Sequence, residues 1–171
     1  MPHRQNTATL PQYWLDEKIQ PLTASPASGF FVFLGYKKAL EKNEIAYQSD
    51  LVYTCERVSF EEGYAFAQQI LQEHPDVDGI FVITDLVAVG VLAYFNEQKI
   101  PVPGQIAVIG FSNWFMSQVI SPKLSTVDQP SYEMGVQAFQ LLLEEMICHR
   151  DQKPFEPKTI ELKTAIIERE S

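Results

Sequence analysis

Between Gly79 and Trp114 the chain twice shows the same order of events: an uncharged strand-length run, then a small cluster of polar side chains at its end. GIFVI (Gly79 to Ile83) runs into Thr84-Asp85, and IAVIGF (Ile106 to Phe111) runs into Ser112-Asn113-Trp114. Short apolar runs rich in β-branched and aromatic residues read as strands covered on both faces. The segment between them, Leu86 to Gln98, is of helical length and is followed by the turn Pro101-Val102-Pro103-Gly104. Strands that alternate with helices predict an α/β fold, a mostly parallel sheet flanked by helices.

The same rhythm extends in both directions. Gly35 to Asn43 reads as the end of a helix and Leu51 to Cys55 as a short strand. Ser59 and Glu62 have the spacing of a capping box, in which each side chain satisfies a free amide at a helix start. Tyr64, Ala67, Ile70 and Leu71 give that helix one apolar stripe, and His74-Pro75 ends it. Downstream, Leu124 to Val127 predicts a strand, Tyr132 to Cys148 a helix, and Thr159 to Leu162 and Ala165 to Glu168 two closing strands. Residues 1–34 break the rhythm: Gln20 to Ser28 (QPLTASPAS) reads as a loop or linker, so this segment stands apart from a domain over residues 35–171.

The helix from Leu86 is apolar on every side. Ala88, Val91, Leu92 and Phe95 can face the sheet, but Val89 and Ala93 then need a second cover, and Gly90 permits close approach of another backbone. Either the helix is wholly internal or Leu86, Val89, Gly90 and Ala93 form a subunit interface.

Composition narrows the function classes. With 171 residues, 46% of them apolar, one good core can form. A net charge of -9 argues against broad phosphate-backbone binding. Cys55 and Cys148 lie far apart, outside any metal-ligand or redox spacing. His74 and His149 sit at helix ends and His3 in the irregular start, where no nucleophile or acid-base pair accompanies them. No G-x-S-x-G, phosphate-cradling loop or metal-ligand cluster occurs. The expectation is therefore no enzyme, no metal and no cofactor. The absence of a long apolar run or a secretory pattern leads us to expect a cytoplasmic protein, not associated with a membrane.

In an open parallel sheet, ligands bind outside the carboxyl ends of the strands. Three such ends carry polar groups here: Thr84-Asp85, Ser112-Asn113-Trp114 and Asp128-Gln129. Each has a purely structural reading, Asp85 as the N-cap of the next helix, Ser112-Asn113 as turn residues and Gln129 as a loop amide. Together, hydroxyl, amide and carboxylate groups beside an indole suit a small polyhydroxylated ligand.

Six segments carry a resemblance: GYKKAL (Gly35 to Leu40), FEEGYAFAQQIL (Phe60 to Leu71), DGIFVITDLVAVGVLAYF (Asp78 to Phe95), KIPVPGQIAVIGFSN (Lys99 to Asn113), SPKLSTVDQPSYEMG (Ser121 to Gly135) and IIERES (Ile166 to Ser171). In order and spacing the chain resembles the effector-binding core of LacI/GalR-type transcriptional regulators. The resemblance implies a periplasmic-binding-protein-like fold of two α/β lobes around a ligand cleft, in which ligand shifts the lobes and dimerisation runs through the Leu86 helix. Against that plan the chain is expected to lack the helix-turn-helix DNA reader and most of the N-terminal lobe.

The resemblance also implies a cleft lined by Thr84, Asp85, Ser112, Asn113, Trp114, Gln129 and Phe60. Where sugar-responsive members commonly carry an Arg before the Gly-Tyr pair, this chain has Val32. Thr84 stands where many have Asn, Ser112 where many have Asp, and Val58 where an aromatic is frequent, whereas Gln129 matches. Losing the Arg removes a charged fork for a hydroxyl pair or carboxylate, which weighs against ordinary hexose binding. The expected function is an effector-sensing domain that binds a small polar, sugar-like molecule and dimerises. The alternatives are an interaction fragment that heterodimerises with an intact regulator, and a truncated gene product without function. The helix from Tyr132 is expected to have lost its packing partner. Its apolar face must then dock on the remaining lobe, be covered by residues 1–34, or be buried between subunits.

Overall fold

The computed structural model describes residues 19–23 and 29–171. They build a six-stranded sheet of β1 (Ile19–Thr23), β2 (Tyr53–Thr54), β3 (Gly79–Val82), β4 (Ala107–Ser112), β5 (Ser125–Asp128) and β6 (Ala165–Ile167), in the order β2-β1-β3-β4-β5-β6. All neighbours pair in parallel except β6, which runs antiparallel to β5. The helices are α1 (Gly29–Lys42), α2 (Phe60–Glu73), α3 (Asp85–Glu97), the short α4 (Met116–Val119) and α5 (Ser131–Arg150), with a single 3-10 turn at Ser49–Leu51. The α/β expectation holds.

The main core lies between one face of the sheet and the pair α2 and α3. Ile80, Val82, Ile106, Val108 and Leu124 meet Ala67, Ile70, Val87, Val91 and Phe95 there, all completely buried. Alternate residues Ala107 and Ile109 form a small cluster with Phe81, as the two-residue period of a strand requires. On α3, Ala88, Val91, Leu92 and Phe95 are buried and Val89 and Ala93 half-buried, so the helix is mostly internal. Gly90 does permit a close backbone approach, and the neighbour is α2 of the same chain. A Cβ at Gly90 would stand 2.1 Å from the Phe60 carbonyl oxygen, and one at Gly63 would stand 2.0 Å from that of Val87.

The Ser59 cap forms, its hydroxyl accepting from the Glu62 amide at 3.2 Å. Glu62 does not close the box on Ser59. Its carboxylate accepts instead from the amides of Glu56 and Arg57, at 3.0 and 2.9 Å, and so ties the loop ahead of α2 to the helix.

Three expectations are corrected. Gln20 to Thr23 are not linker: they belong to β1, an inner strand between β2 and β3. β2 pairs only with Leu22 and Thr23, so Pro21 has an unpaired side where its missing amide need not break a ladder. Thr159 to Leu162 form no strand. Ile160 is exposed there, and no neighbouring strand supplies a ladder. Asp85 is not the N-cap of α3, a role taken by Thr84, whose hydroxyl accepts from the Val87 amide at 3.3 Å. Residues 1–18 and 24–28 of the segment set apart in the sequence lie outside the described residues.

Helix α5 stands away from the core. None of its residues is buried, although it carries Tyr132, Met134, Phe139, Leu142, Leu143, Met146 and Ile147.

Candidate functional site

β3, β4 and β5 are adjacent and parallel, with Phe81 paired to Ile109 and Ser112 to Asp128. Thr84, Ser112 and Gln129 therefore leave the sheet along one edge, the carboxyl edge, as the sequence predicts.

What holds that edge is Asp85. Its side chain is completely buried. One carboxylate oxygen accepts from the Thr126 hydroxyl at 2.6 Å and the other from the Trp114 amide at 2.6 Å, so β5 and the loop after β4 are joined through the start of α3. Burial pushes the Asp85 carboxyl above its usual range. The Thr126 hydroxyl, the amides of Trp114 and Phe111 and the charge of Arg169 pull the other way without overcoming it. Gly110 makes room for the carboxylate, since a Cβ there would lie 2.2 Å from Asp85 Oδ1.

The loop so held is strained. Ser112 has φ 117° and Asn113 φ 51°, the left-handed side of backbone space that non-glycine residues enter at a cost of about 1–3 kcal/mol. Asn113 is fixed from several directions. Its amide donates to the Thr126 hydroxyl at 3.2 Å, its Nδ2 donates to Asp128 at 2.8 Å, and its Oδ1 accepts from Arg169 at 2.6 Å.

Arg169 is the residue that sequence reasoning missed. Its guanidinium also donates to the Leu124 carbonyl at 2.6 Å and to the Ser117 hydroxyl at 3.1 Å, and that hydroxyl donates to the Trp114 carbonyl at 2.7 Å. Two residues on, Ser171 is buried, its hydroxyl accepting from the Ser125 amide at 2.8 Å and donating to the Val108 carbonyl at 2.6 Å. The only sequence signal was the closing IIERES segment itself. Nothing local in it points back to Asn113.

The proposed lining residues thus fall into two groups. Asp85 and Asn113 are spent on the network and act as scaffold. Ser112 and Gln129 make no side-chain hydrogen bond among the described residues, and the Trp114 ring is 45% exposed beside Phe115, 66% exposed. Phe60 is placed at the first turn of α2, partly exposed and tilted against the Tyr64 ring with centroids 6.4 Å apart. Of the four residues assigned to a subunit contact, Gly90 is buried against α2, Val89 and Ala93 are half-buried, and Leu86 is 36% exposed. Among the described residues no cluster of His, Cys, Asp and Glu could hold a metal ion. No helix among them is long and apolar enough to cross a membrane.

Comparison with known proteins bears on the whole arrangement. A family model described as "Periplasmic binding protein-like domain" matches residues 31–171. A "Ribose operon repressor" from Halalkalibacterium halodurans is 27% identical over 137 residues, covering 80% of this chain and 39% of its own. An "HTH-type transcriptional repressor PurR" from Yersinia enterocolitica is 32% identical over 137 residues, again covering 80% and 39%. The chain thus spans about two-fifths of the length of these curated relatives. Among solved structures, the transcription regulator CcpA of Lactococcus lactis superposes with a TM-score of 0.81 at 28% identity, covering 91% of this chain and 56% of that one. A "transcriptional regulator CelR-cellobiose complex" gives a TM-score of 0.83 at 25% identity, covering 91% and 46%. These solved relatives are regulators rather than enzymes, in keeping with a non-catalytic role.

Proposed function

The chain belongs to the periplasmic binding protein-like domain family, as an effector-binding domain of the LacI/GalR type, and from that premise we propose that it senses a small polar, sugar-like molecule. The observation that carries this reading is the division of labour at the carboxyl edge. Buried Asp85 and Thr126, with Arg169, hold a strained loop rigid, while Ser112 and Gln129 keep uncommitted polar groups next to a part-exposed indole. Preorganised hydroxyl and amide groups flanking an aromatic face match a ligand that is hydroxylated on its rim and apolar on its flat side. The names of two relatives, a ribose operon repressor and a regulator in complex with cellobiose, lend support. In this reading the residues described do not themselves contact DNA and the domain works in the cytoplasm, where ligand acts by shifting a population of conformations.

Isothermal titration against pentoses, disaccharides, nucleosides and amino acids tests it. Heat with at least one class is expected, weakened when Trp114→Ala removes the ring while the thermal transition is kept. Flat traces with folded protein overturn the reading, and so does a salt-sensitive, sequence-specific DNA shift by the chain alone.

A second reading draws on the outer edge of α3. Leu86 is exposed and Val89 and Ala93 are half-covered, a small apolar patch for pairing with a related regulator. Co-purification with such a relative, abolished by Leu86→Glu, is its expected sign.

A further inference from the structure

The ladder between β5 and β6 ends at the pair Thr126 and Ile167, yet the chain beyond it stays on the domain. The Arg169 amide donates to the Ser125 hydroxyl at 3.0 Å, the Glu170 amide donates to the Lys123 carbonyl at 3.0 Å, and the buried Ser171 hydroxyl joins Ser125 to Val108. A segment fixed outside the ladder can open without unzipping the sheet.

From that segment the Arg169 guanidinium brackets Trp114. On one side it donates to Asn113 Oδ1 at 2.6 Å, and on the other to the Ser117 hydroxyl at 3.1 Å, which in turn donates to the Trp114 carbonyl at 2.7 Å. Asp85 accepts from the Trp114 amide at 2.6 Å, so the amide and the carbonyl of this residue are both fixed. Asn113 can meet Arg169 in one orientation only. Its Oδ1 faces the guanidinium and its Nδ2 faces Asp128 at 2.8 Å, and turning the amide over would set donor against donor and acceptor against acceptor. The left-handed φ of 117° at Ser112 and 51° at Asn113 is thus held against its strain.

We propose that Arg169 is a positioning residue for effector binding and that the segment Arg169 to Ser171 is a latch coupled to occupancy of the site. Arg169 touches no effector; it sets affinity by keeping Ser112 and Trp114 in their binding-ready shape, which spares the effector the cost of ordering them. The inference rests on the sensing reading above. An effector that prefers the latched loop to the relaxed one must hold the latch shut by the same factor, because the coupling is reciprocal. Arg169 is half-buried, and a shallow hollow of about 530 Å³ lined by Gln118, Lys123, Arg169 and Glu170 leads to it from solvent. A small cation can therefore reach the place of the guanidinium once the side chain is cut back.

Trp14 and Trp114 are the two tryptophans of the chain, so a Trp14→Phe background gives a fluorescence readout of the loop that needs no effector. Arg169→Ala should raise acrylamide quenching of Trp114, and millimolar guanidinium chloride, but not ammonium chloride, should restore it, since only the planar fork serves several acceptors. Ile70→Val, which loosens the core away from the loop, should leave the quenching unchanged. Titration with ribose, cellobiose and the other classes named above then reads affinity. Whichever binds the unaltered chain should bind Arg169→Ala on the order of tenfold more weakly, as a loop competent about a tenth of the time requires. Guanidinium should restore that binding as well, and saturation with the same compound should slow hydrogen exchange at the Arg169 amide of the unaltered chain. Ser117→Ala cuts only the leg to the Trp114 carbonyl, so it should act in the same direction and by less, and it decides the matter if Arg169→Ala does not fold. Affinity unchanged in both variants, quenching that guanidinium does not restore, or an equal effect from Ile70→Val overturns the proposal. A chain that binds none of the compounds overturns the sensing reading and takes the affinity claim with it, while the rescue of Trp114 still decides whether Arg169 positions the loop.

Discussion

At the scale of single residues, Asp85 decides how the carboxyl edge behaves. Its carboxyl binds a proton more tightly folded than unfolded, because burial raises it above the ordinary value of 3.8. The native state therefore holds the extra proton between those two values. The stability that Asp85 contributes is fully present below 3.8 and is lost as pH rises through its folded value. A carbon-detected NMR titration should place its midpoint above 3.8, and one at or below that would remove the argument. Thr126→Val strips the hydroxyl that bridges Asp85 and the Asn113 amide, leaving a buried acceptor and an amide short of a partner. About 1–3 kcal/mol of stability should go with it in urea unfolding. None of this was legible in advance. The sequence suggests that Asp85 caps a helix, whereas Thr84 has the right position for that and Asp85 is one residue too late, so its carboxylate turns inward.

At the scale of elements, the most sensitive contact is the crossing of α2 and α3. Two glycines bring the backbones together, and at Gly90 an added Cβ meets the Phe60 carbonyl rather than a side chain that could move aside. Gly90→Val should cost about 1–3 kcal/mol through overpacking. Gly35→Ala on α1, with nothing within 4 Å of the added methyl, should gain about 0.5–1 kcal/mol. Opposite signs in parallel denaturant melts would confirm that the difference is steric. Elements with a strong local pattern were readable: the Ser59 cap, the apolar run of β4, and the buried face of α3. β1 was not, because Pro21 masks a strand whose place is set by its neighbours, and a strand over Thr159 to Leu162 was expected where no neighbour exists.

At the scale of the whole molecule, residues far apart in sequence are closed into one unit by the last three. Arg169 and Ser171 reach Asn113, Ser117, Leu124, Ser125 and Val108. Removing Arg169 to Ser171 should lower stability by about 3 kcal/mol or more and alter Trp114 fluorescence, since several buried hydrogen bonds go at once. Arg169→Lys should reproduce much of the fluorescence change, because an ammonium cannot hold three acceptors in a planar fork. This long-range closure was invisible to local pattern, whereas the parallel order of β3, β4 and β5 that brings Thr84, Ser112 and Gln129 to one edge followed from alternation alone. The two rims of the sheet carry a last consequence. β2 is two residues long, and β6 is three residues long and reversed in direction, so neither flank gives a foreign strand enough rungs to zip onto. Short rims of this kind disfavour fibril-like stacking of one sheet onto another.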